Sequence, residues 1–191
     1  RTGLVLPHAH GVRAVFTTGT LEITERSLDV AIDGEGFFAV VLPDGSNGYT
    51  RDGGFQIDAD GMVVTSTGCR VLPVITVPSD TLELSLDPAG RVCCRTAGNP
   101  DTATMLGQLA LTRFVNPAGL ATERGSLLRV TEAAGVPQTG YPGTQGFGVL
   151  KQGFIERSNV QILNESVNLQ VLRRQRSELR RALASFGVAV S

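Results

Sequence analysis

Asp29-Val30-Ala31-Ile32-Asp33-Gly34-Glu35-Gly36-Phe37-Phe38, followed by Tyr49-Thr50-Arg51-Asp52-Gly53-Gly54-Phe55, is the stretch that decides the fold. Short apolar runs are broken at close intervals by glycine and acid, and the rhythm continues through Asp58, Gly61, Thr65 and Gly68. Phe37 to Leu42 reads as a strand closed by Pro43-Asp44-Gly45, where Pro presets φ and Gly accepts a positive one. Phe55 and Ile57 alternate with Gln56 and Asp58, which predicts one buried and one wet face before Asp60-Gly61 reverses the chain. Met62 to Ser66 then pairs back as a hairpin.

Outward from this stretch the pattern persists. Leu82, Leu84 and Leu86 alternate with Glu83 and Ser85, and Asp87-Pro88-Ala89-Gly90 leads into Arg91 to Arg95 as a second hairpin. Leu109, Leu111 and the neighbourhood of Phe114 form another strand before Asn116-Pro117-Ala118-Gly119, and Leu127 to Thr131 another. The expected fold is mainly β: short antiparallel strands and hairpins of sandwich or barrel type over residues 28–133, after an extended N-terminal linker over 1–27. Residues 134–157 read as an extended Gly/Pro-rich return segment with little packing of its own.

After Ser158 the apolar period changes. Ser158 can cap a helix with Gln161 reaching back to it, and Val160, Leu163, Val167, Val171, Leu172, Leu179, Leu183 and Phe186 recur at helical spacing. The expectation is one amphipathic helix over 158–186 and a tail over 187–191. No second long amphipathic helix accompanies it in the sequence, so its apolar stripe is expected to pack on another subunit or on a segment upstream of Arg1.

A chain of 191 residues makes one or two small domains with a real core. A net charge of -1 gives no steering toward nucleic acid or membrane, although Arg173, Arg174, Arg176, Arg180 and Arg181 make one end locally basic. Glu178 lies at helical spacing from these arginines and no aromatics interleave them, which reads as a solvated helix face. The three cysteines read as packing residues, with adjacent Cys93 and Cys94 on opposite faces of a strand. No apolar run approaches the roughly 20 residues of a membrane helix, and no signal peptide opens the chain. The first residue is Arg rather than Met, so that last reading carries little weight.

The motifs that resemble chemistry dissolve on inspection. Gly34-Glu35-Gly36 runs into a Phe-Phe strand instead of a helix N-terminus that binds phosphate. Asp58-Ala59-Asp60-Gly61 opens like a calcium loop, but Met62, Val63 and Cys69 stand where ligands and the turn glycine belong. His8 and His10, the only histidines, have no acid or Cys beside them, and most acids sit at turns for backbone reasons. The expectation is no catalytic residue, no cofactor and no metal. Arg51-Asp52, flanked by Tyr49 and Phe55 inside a tight turn, is expected to lock its hairpin.

Taken in order, these stretches resemble the bacterial flagellar rod and hook proteins. Phe16-Thr17-Thr18-Gly19-Thr20-Leu21 is similar to the segment before the family's Leu-Asp-Val-Ala-Ile motif, which stands here at Leu28 to Ile32. Phe114-Val115-Asn116-Pro117-Ala118-Gly119-Leu120 is another marker, and Gly153-Phe154-Ile155-Glu156-Arg157-Ser158-Asn159-Val160 resembles the entry to the C-terminal helix. Pro142 to Phe154 is most similar to the distal-rod members. The motif residues carried over are Asp29, Gly34, Gly36, Phe37, Phe38, Tyr49, Thr50, Arg51, Asp52, Gly53, Phe55, Gly61, Gly68, Asn116, Pro117 and Gly119. Those of the assembly helix are Ser158, Asn159, Val160, Leu163, Val167, Leu172 and Leu179.

The resemblance implies a structural subunit, not an enzyme, that self-assembles into a hollow helical shaft carrying torque to the hook. Its implied partners are copies of itself, the proximal rod and hook proteins, and the surrounding P and L rings, with no nucleic acid and no membrane insertion. The implied location is the periplasm-spanning rod of the basal body, reached through the flagellar type III apparatus without a cleavable signal. Two departures stand out. The family's N-terminal helix has no counterpart here, and Gln175-Arg176 falls about two residues late, a slip that rotates a helix by about 200°. A fragment, or a truncated, non-assembling rod paralogue, is therefore an alternative. A secreted β-sandwich module binding glycan or another surface ligand is a second, and it requires an exposed aromatic platform around residues such as Tyr49 and Tyr141.

Overall fold

The computed structural model describes residues 19–157, and these are mainly β. In chain order the first strands are β1 (Thr20–Ile23), β2 (Val30–Asp33), β3 (Phe37–Val41), β4 (Asn47–Thr50), β5 (Gln56–Ile57), β6 (Val63–Val64), β7 (Arg70–Leu72) and β8 (Thr81–Leu86). They are followed by β9 (Arg91–Thr96), β10 (Asn99–Gln108), β11 (Leu111–Arg113), β12 (Ala121–Thr122), β13 (Leu128–Arg129), β14 (Gln138–Gly140), β15 (Val149–Gln152) and β16 (Phe154–Arg157). Every pairing among them is antiparallel. The helix expected over 158–186, with the tail after it, lies outside the described residues.

The apolar strand β3 organises the largest sheet. One edge pairs with β4, Phe38 opposite Thr50, while the other is shared end to end by β11 and β7, with Phe38 opposite Leu111 and Ala39 opposite Leu72. Side chains alternate across a strand. Phe38, Val40 and Leu42 therefore enter the main core with Val30, Ile32, Phe55, Val71, Leu111 and Leu150, whereas Phe37 and Ala39 face a smaller cluster of Tyr49, Phe114, Leu120, Leu128 and Ala134. Both faces are covered, which is why the sequence of β3 shows no polar alternation. Edge-on aromatic contacts anchor each side, with Phe38–Phe55 centroids 5.0 Å apart and Tyr49–Phe114 centroids 4.8 Å apart.

The β8–β9–β10 sheet lies beside this body and is one-sided: Leu84 and Leu86 pack on the main core. Its opening differs from the sequence expectation. A register shift between Thr81 and Glu83 interrupts the leucine alternation, and Leu82 is 67% exposed. Ile57 likewise turns out 43% exposed, because β5 is the last strand of its sheet among the described residues, while Phe55 is buried. Cys94 is buried and Cys93 half-buried, on opposite faces of β9, and Cys69 is buried in the main core.

The stretches read as linker and return segment also carry strands. β1 lies within 1–27 and pairs with β16, Thr20 opposite Arg157 through Ile23 opposite Phe154. Within 134–157, β14 pairs with β11 and β15 with β2. Phe147 and Leu150 enter the main core, and Pro142 is fully buried.

Candidate functional site at the ribbon junction

β2 ends at Asp33, and Gly34 and Gly36 follow with φ of 120° and 138°, backbone that L side chains rarely adopt. A Cβ on Gly34 would also sit 2.8 Å from Gly148 Cα. In this conformation the carbonyls of Ile32, Gly34 and Gly36 converge, and Arg51, one residue beyond β4, is the group they receive. Its Nη2 donates to Ile32 O at 3.1 Å, and its Nη1 donates to Gly34 O at 3.1 Å and Gly36 O at 2.9 Å.

The remaining donor, Nε, points to β16 and meets Glu156 Oε2 at 2.7 Å. The other carboxylate oxygen, Oε1, accepts the backbone N–H of Gly19 at 2.7 Å. The side chains of Arg51 and Glu156 are 16% and 7% exposed, so this is a largely desolvated, charge-assisted pair. One carboxylate thereby joins the residue before β1, the strand β16 and the β2–β3 loop. Gly19 and Arg157 are neighbours, so the chain enters and leaves the described region at one place.

The lock expected of Arg51-Asp52 is divided between two jobs. Asp52 holds the local turn, its Oδ1 accepting Gly54 N at 3.0 Å while its own N–H donates to Thr50 Oγ1 at 3.0 Å. Ser126 donates to its second oxygen at 3.2 Å. Gly53 accepts Val30 N at 3.0 Å, and a Cβ there would fall on the Val30 carbonyl oxygen. Asp29 is buried: its carbonyl accepts Gly153 N at 2.7 Å, and its Oδ1, with no hydrogen-bond donor, lies 3.6 Å from the Arg26 guanidinium.

The other motif residues lie apart from this junction. Phe37, Phe38, Tyr49 and Phe55 are core residues. Gly61 accepts Val77 N at 2.8 Å, and Gly68 donates to Thr65 O at 2.9 Å to close its turn. Asn116 Nδ2 donates to Ala133 O at 2.9 Å, Pro117 opens the short 3-10 turn Pro117–Gly119, and Gly119 O accepts the Thr131 hydroxyl. Ser158, Asn159, Val160, Leu163, Val167, Leu172 and Leu179 lie outside the described residues.

Two side chains that sequence reasoning did not single out prove to be connectors. Glu156 stands 105 residues from Arg51, a separation no spacing rule reaches, although it lies inside the Gly153 to Val160 run that carried the resemblance. Gln152 is the other. Its amide donates to Leu84 O at 3.0 Å and Ser27 O at 2.8 Å and accepts Leu86 N at 3.0 Å, tying β8 to β15.

At the far end of the β3–β4 hairpin the Asp44 carboxyl is held down to about 2, chiefly by the Ser46 hydroxyl, then by the Ser46 N–H and by Arg129. Burial against Phe114 pushes the Tyr49 phenol up, and it removes that residue from any surface platform. An open groove of about 630 Å³ between the β5–β6 hairpin and β8 is lined by Ile57, Leu82, Leu84, Asp58 and Asp60. Asp58 there is engaged in its own turn, accepting Asp60 N and Met62 N at 2.9 and 2.8 Å. Among the described residues no three His, Cys, Asp or Glu side chains gather as a metal site.

Residues 31–94, the segment built around β3 and the Arg51 loop, match the family model described as the flagellar hook protein FlgE/F/G D1 domain. The flagellar basal-body rod protein FlgG of Buchnera aphidicola subsp. Acyrthosiphon pisum is 43% identical over 155 residues, covering 81% of this chain and 59% of that protein. The chain is FlgG-like. FlgG of Borreliella burgdorferi is 40% identical over 164 residues, covering 84% of this chain and 61% of its own length. The rod protein FlgF of Escherichia coli is 33% identical over 153 residues, 77% of this chain and 59% of that protein. The chain thus spans about three fifths of the length of these FlgG and FlgF relatives, and Arg51 lies inside the segment that matches the D1 model while Glu156 lies well beyond it.

Proposed function

We propose that this chain is a structural subunit of the flagellar basal-body distal rod. In this reading it stacks with copies of itself into a hollow shaft that carries torque to the hook. The observation that carries it is a D1 domain of flagellar type whose entering and leaving strands form one ribbon, pinned to the domain by Arg51 and Glu156. Such an arrangement suits a subunit that extends both ends of its chain toward a common axis. Proximal rod and hook proteins are the axial neighbours in this proposal, and the P and L rings surround it. The subunit has no catalytic role, lies in the periplasm-spanning rod of the basal body, and leaves the cell interior through the flagellar export apparatus without a cleavable signal.

Residues 158–186 are the assembly helix of the proposal, with 28–133 as the outer β domain and 134–157 as the return to the axis. The apolar stripe of Val160, Leu163, Val167, Leu172 and Leu179 forms a seam with other subunits, and burying one leucine there is worth roughly 1.5 to 3 kcal/mol. Leu163→Asp or Leu172→Asp is expected to abolish rod recovery and motility while circular dichroism of the purified chain keeps its β signal. A variant that swims normally, or a β domain that melts together with the helix, would place this segment inside its own subunit. The wider reading is tested by electron microscopy of a strain lacking the gene, where intact hooks and filaments would end it.

A further inference from the structure

The β1–β16 ribbon is a two-stranded element, and such elements are marginal on their own in water. Its apolar contribution is small: no residue of either strand is fully buried, and Ile23 points outward. Its position therefore depends on specific attachments. At its base Thr24 N donates to Gly153 O at 2.8 Å and Gly153 N to Asp29 O at 2.7 Å. Three residues further along β16, about 10 Å at strand rise, stands Glu156. Attachment at the base alone leaves a hinge about Gly153, whose φ of 77° already sits in the left-handed region. A second attachment point 10 Å out, by the same strand-rise estimate, turns the hinge into a bracket.

We infer that the Arg51–Glu156 pair is a latch that fixes the angle of the β1–β16 ribbon on the β domain, so that ribbon and domain move as one body. Glu156 is a positioning residue, acting through Arg51 and Gly19. The guanidinium has two duties, since it also holds the carbonyls of Ile32, Gly34 and Gly36, whereas the Glu156 carboxylate serves only the ribbon. The two ends of the latch are therefore expected to fail differently. In an assembled shaft, which rests on the rod reading above, the latch sets the direction of the ribbon on its domain, and the partner that feels its loss is the adjacent copy of this chain.

Hydrogen exchange on the full-length purified chain tests the latch without reference to motility. Glu156→Ala is expected to speed exchange at Leu21–Ile23 and Ile155–Arg157 about tenfold or more, leaving the amides of Phe37–Val41 protected. Arg51→Lys, which keeps the charge but not the fork, is expected to loosen the ribbon and the 32–36 loop together. Glu22→Ala, which removes the exposed ion pair to Arg157 on the same ribbon, is expected to move neither region. Unchanged ribbon exchange in Glu156→Ala, or loosening of Phe37–Val41 to the same degree, overturns the latch. In cells, Glu156→Ala in place of the native copy is expected to lower the yield of straight rods and the swimming fraction. Normal swimming with a loosened ribbon overturns the mechanical role. If the unaltered chain fails to restore rods to its own deletion strain, the rod reading falls, and the exchange result still decides the latch.

Discussion

Strand β3 and strand β8 are both leucine-, valine- or phenylalanine-bearing strands of similar length, yet they live in different surroundings. β3 is covered on both faces, Phe38 and Val40 by the main core and Phe37 by the smaller cluster. β8 is covered on one, and its first leucine is turned outward by a register shift. An apolar side chain contributes in proportion to the area taken from water and the packing it meets, so equal hydrophobicity in the two strands does not mean equal worth. The sharpest way to break the comparison is to truncate one residue from each. Phe38→Ala is expected to cost about 3 to 5 kcal/mol, enough to unfold much of the β domain at ordinary temperature. Leu82→Ala is expected to stay within about 0.5 kcal/mol. Urea titrations of the two variants measure both numbers, and equal costs would mean that Leu82 is covered in solution.

The same contrast explains what was legible before the structure. Continuous apolarity in Phe37 to Leu42 and turn residues around it were sufficient to place β3 and its hairpin, since both signals are local. The Gly, Phe and Arg-Asp motifs were legible for the same reason. Leu82 and Ile57 stand at alternating apolar positions yet are exposed, because alternation says which residues share a face without saying whether anything lies against that face. The strands of 134–157 were hidden by glycine and proline, whose turn signals mask three short segments that pair with strands far away in sequence. Glu156 and Gln152 were missed because long-range polar contacts leave no period at all. A lone Glu or Gln of this kind is silent until the chain is folded.

A milder intervention asks how the smaller cluster beneath β3 is closed. It is capped by loops instead of a second sheet, and Asn116 ties those loops together through Ala133 O, with its own N–H donating to Ala134 O at 3.2 Å. Ala134 is fully buried beside Phe114 and Phe37, so the loop cannot drift without opening the cluster. Asn116→Ala removes the side-chain bond and leaves the backbone bond in place. The expected loss is about 0.5 to 1.5 kcal/mol, and the Phe114 and Tyr49 ring resonances are expected to shift while those of Phe38 and Phe55 do not. If both aromatic pairs respond alike, the two faces of β3 form one cooperative core and the comparison drawn above is too fine.

The smallest effect is expected at the solvent end of the β3–β4 hairpin, beyond the last core residue Leu42. The Asp44 carboxyl lies well below its ordinary 3.8, at about 2, because the charged form accepts the Ser46 hydroxyl and N–H and faces Arg129. A carboxyl depressed in the folded state stabilises that state above its unfolded value and ceases to do so as pH falls through the folded one. The turn is therefore expected to keep its contribution at neutral pH and to lose it between pH 3.8 and about 2. The group is fully exposed, so solvent keeps the stability change small and the titration itself is the quantity to follow. In Ser46→Ala the hydroxyl donor is gone while the N–H and Arg129 remain, so the Asp44 midpoint, read from its carboxyl carbon by NMR, is expected to rise part of the way toward 3.8. The resonances of Phe38 and Phe55 are expected to stay unmoved through that range. A midpoint that does not change on losing the hydroxyl would assign the depression to the Ser46 N–H and Arg129 instead, and the hydroxyl would then hold nothing in this turn.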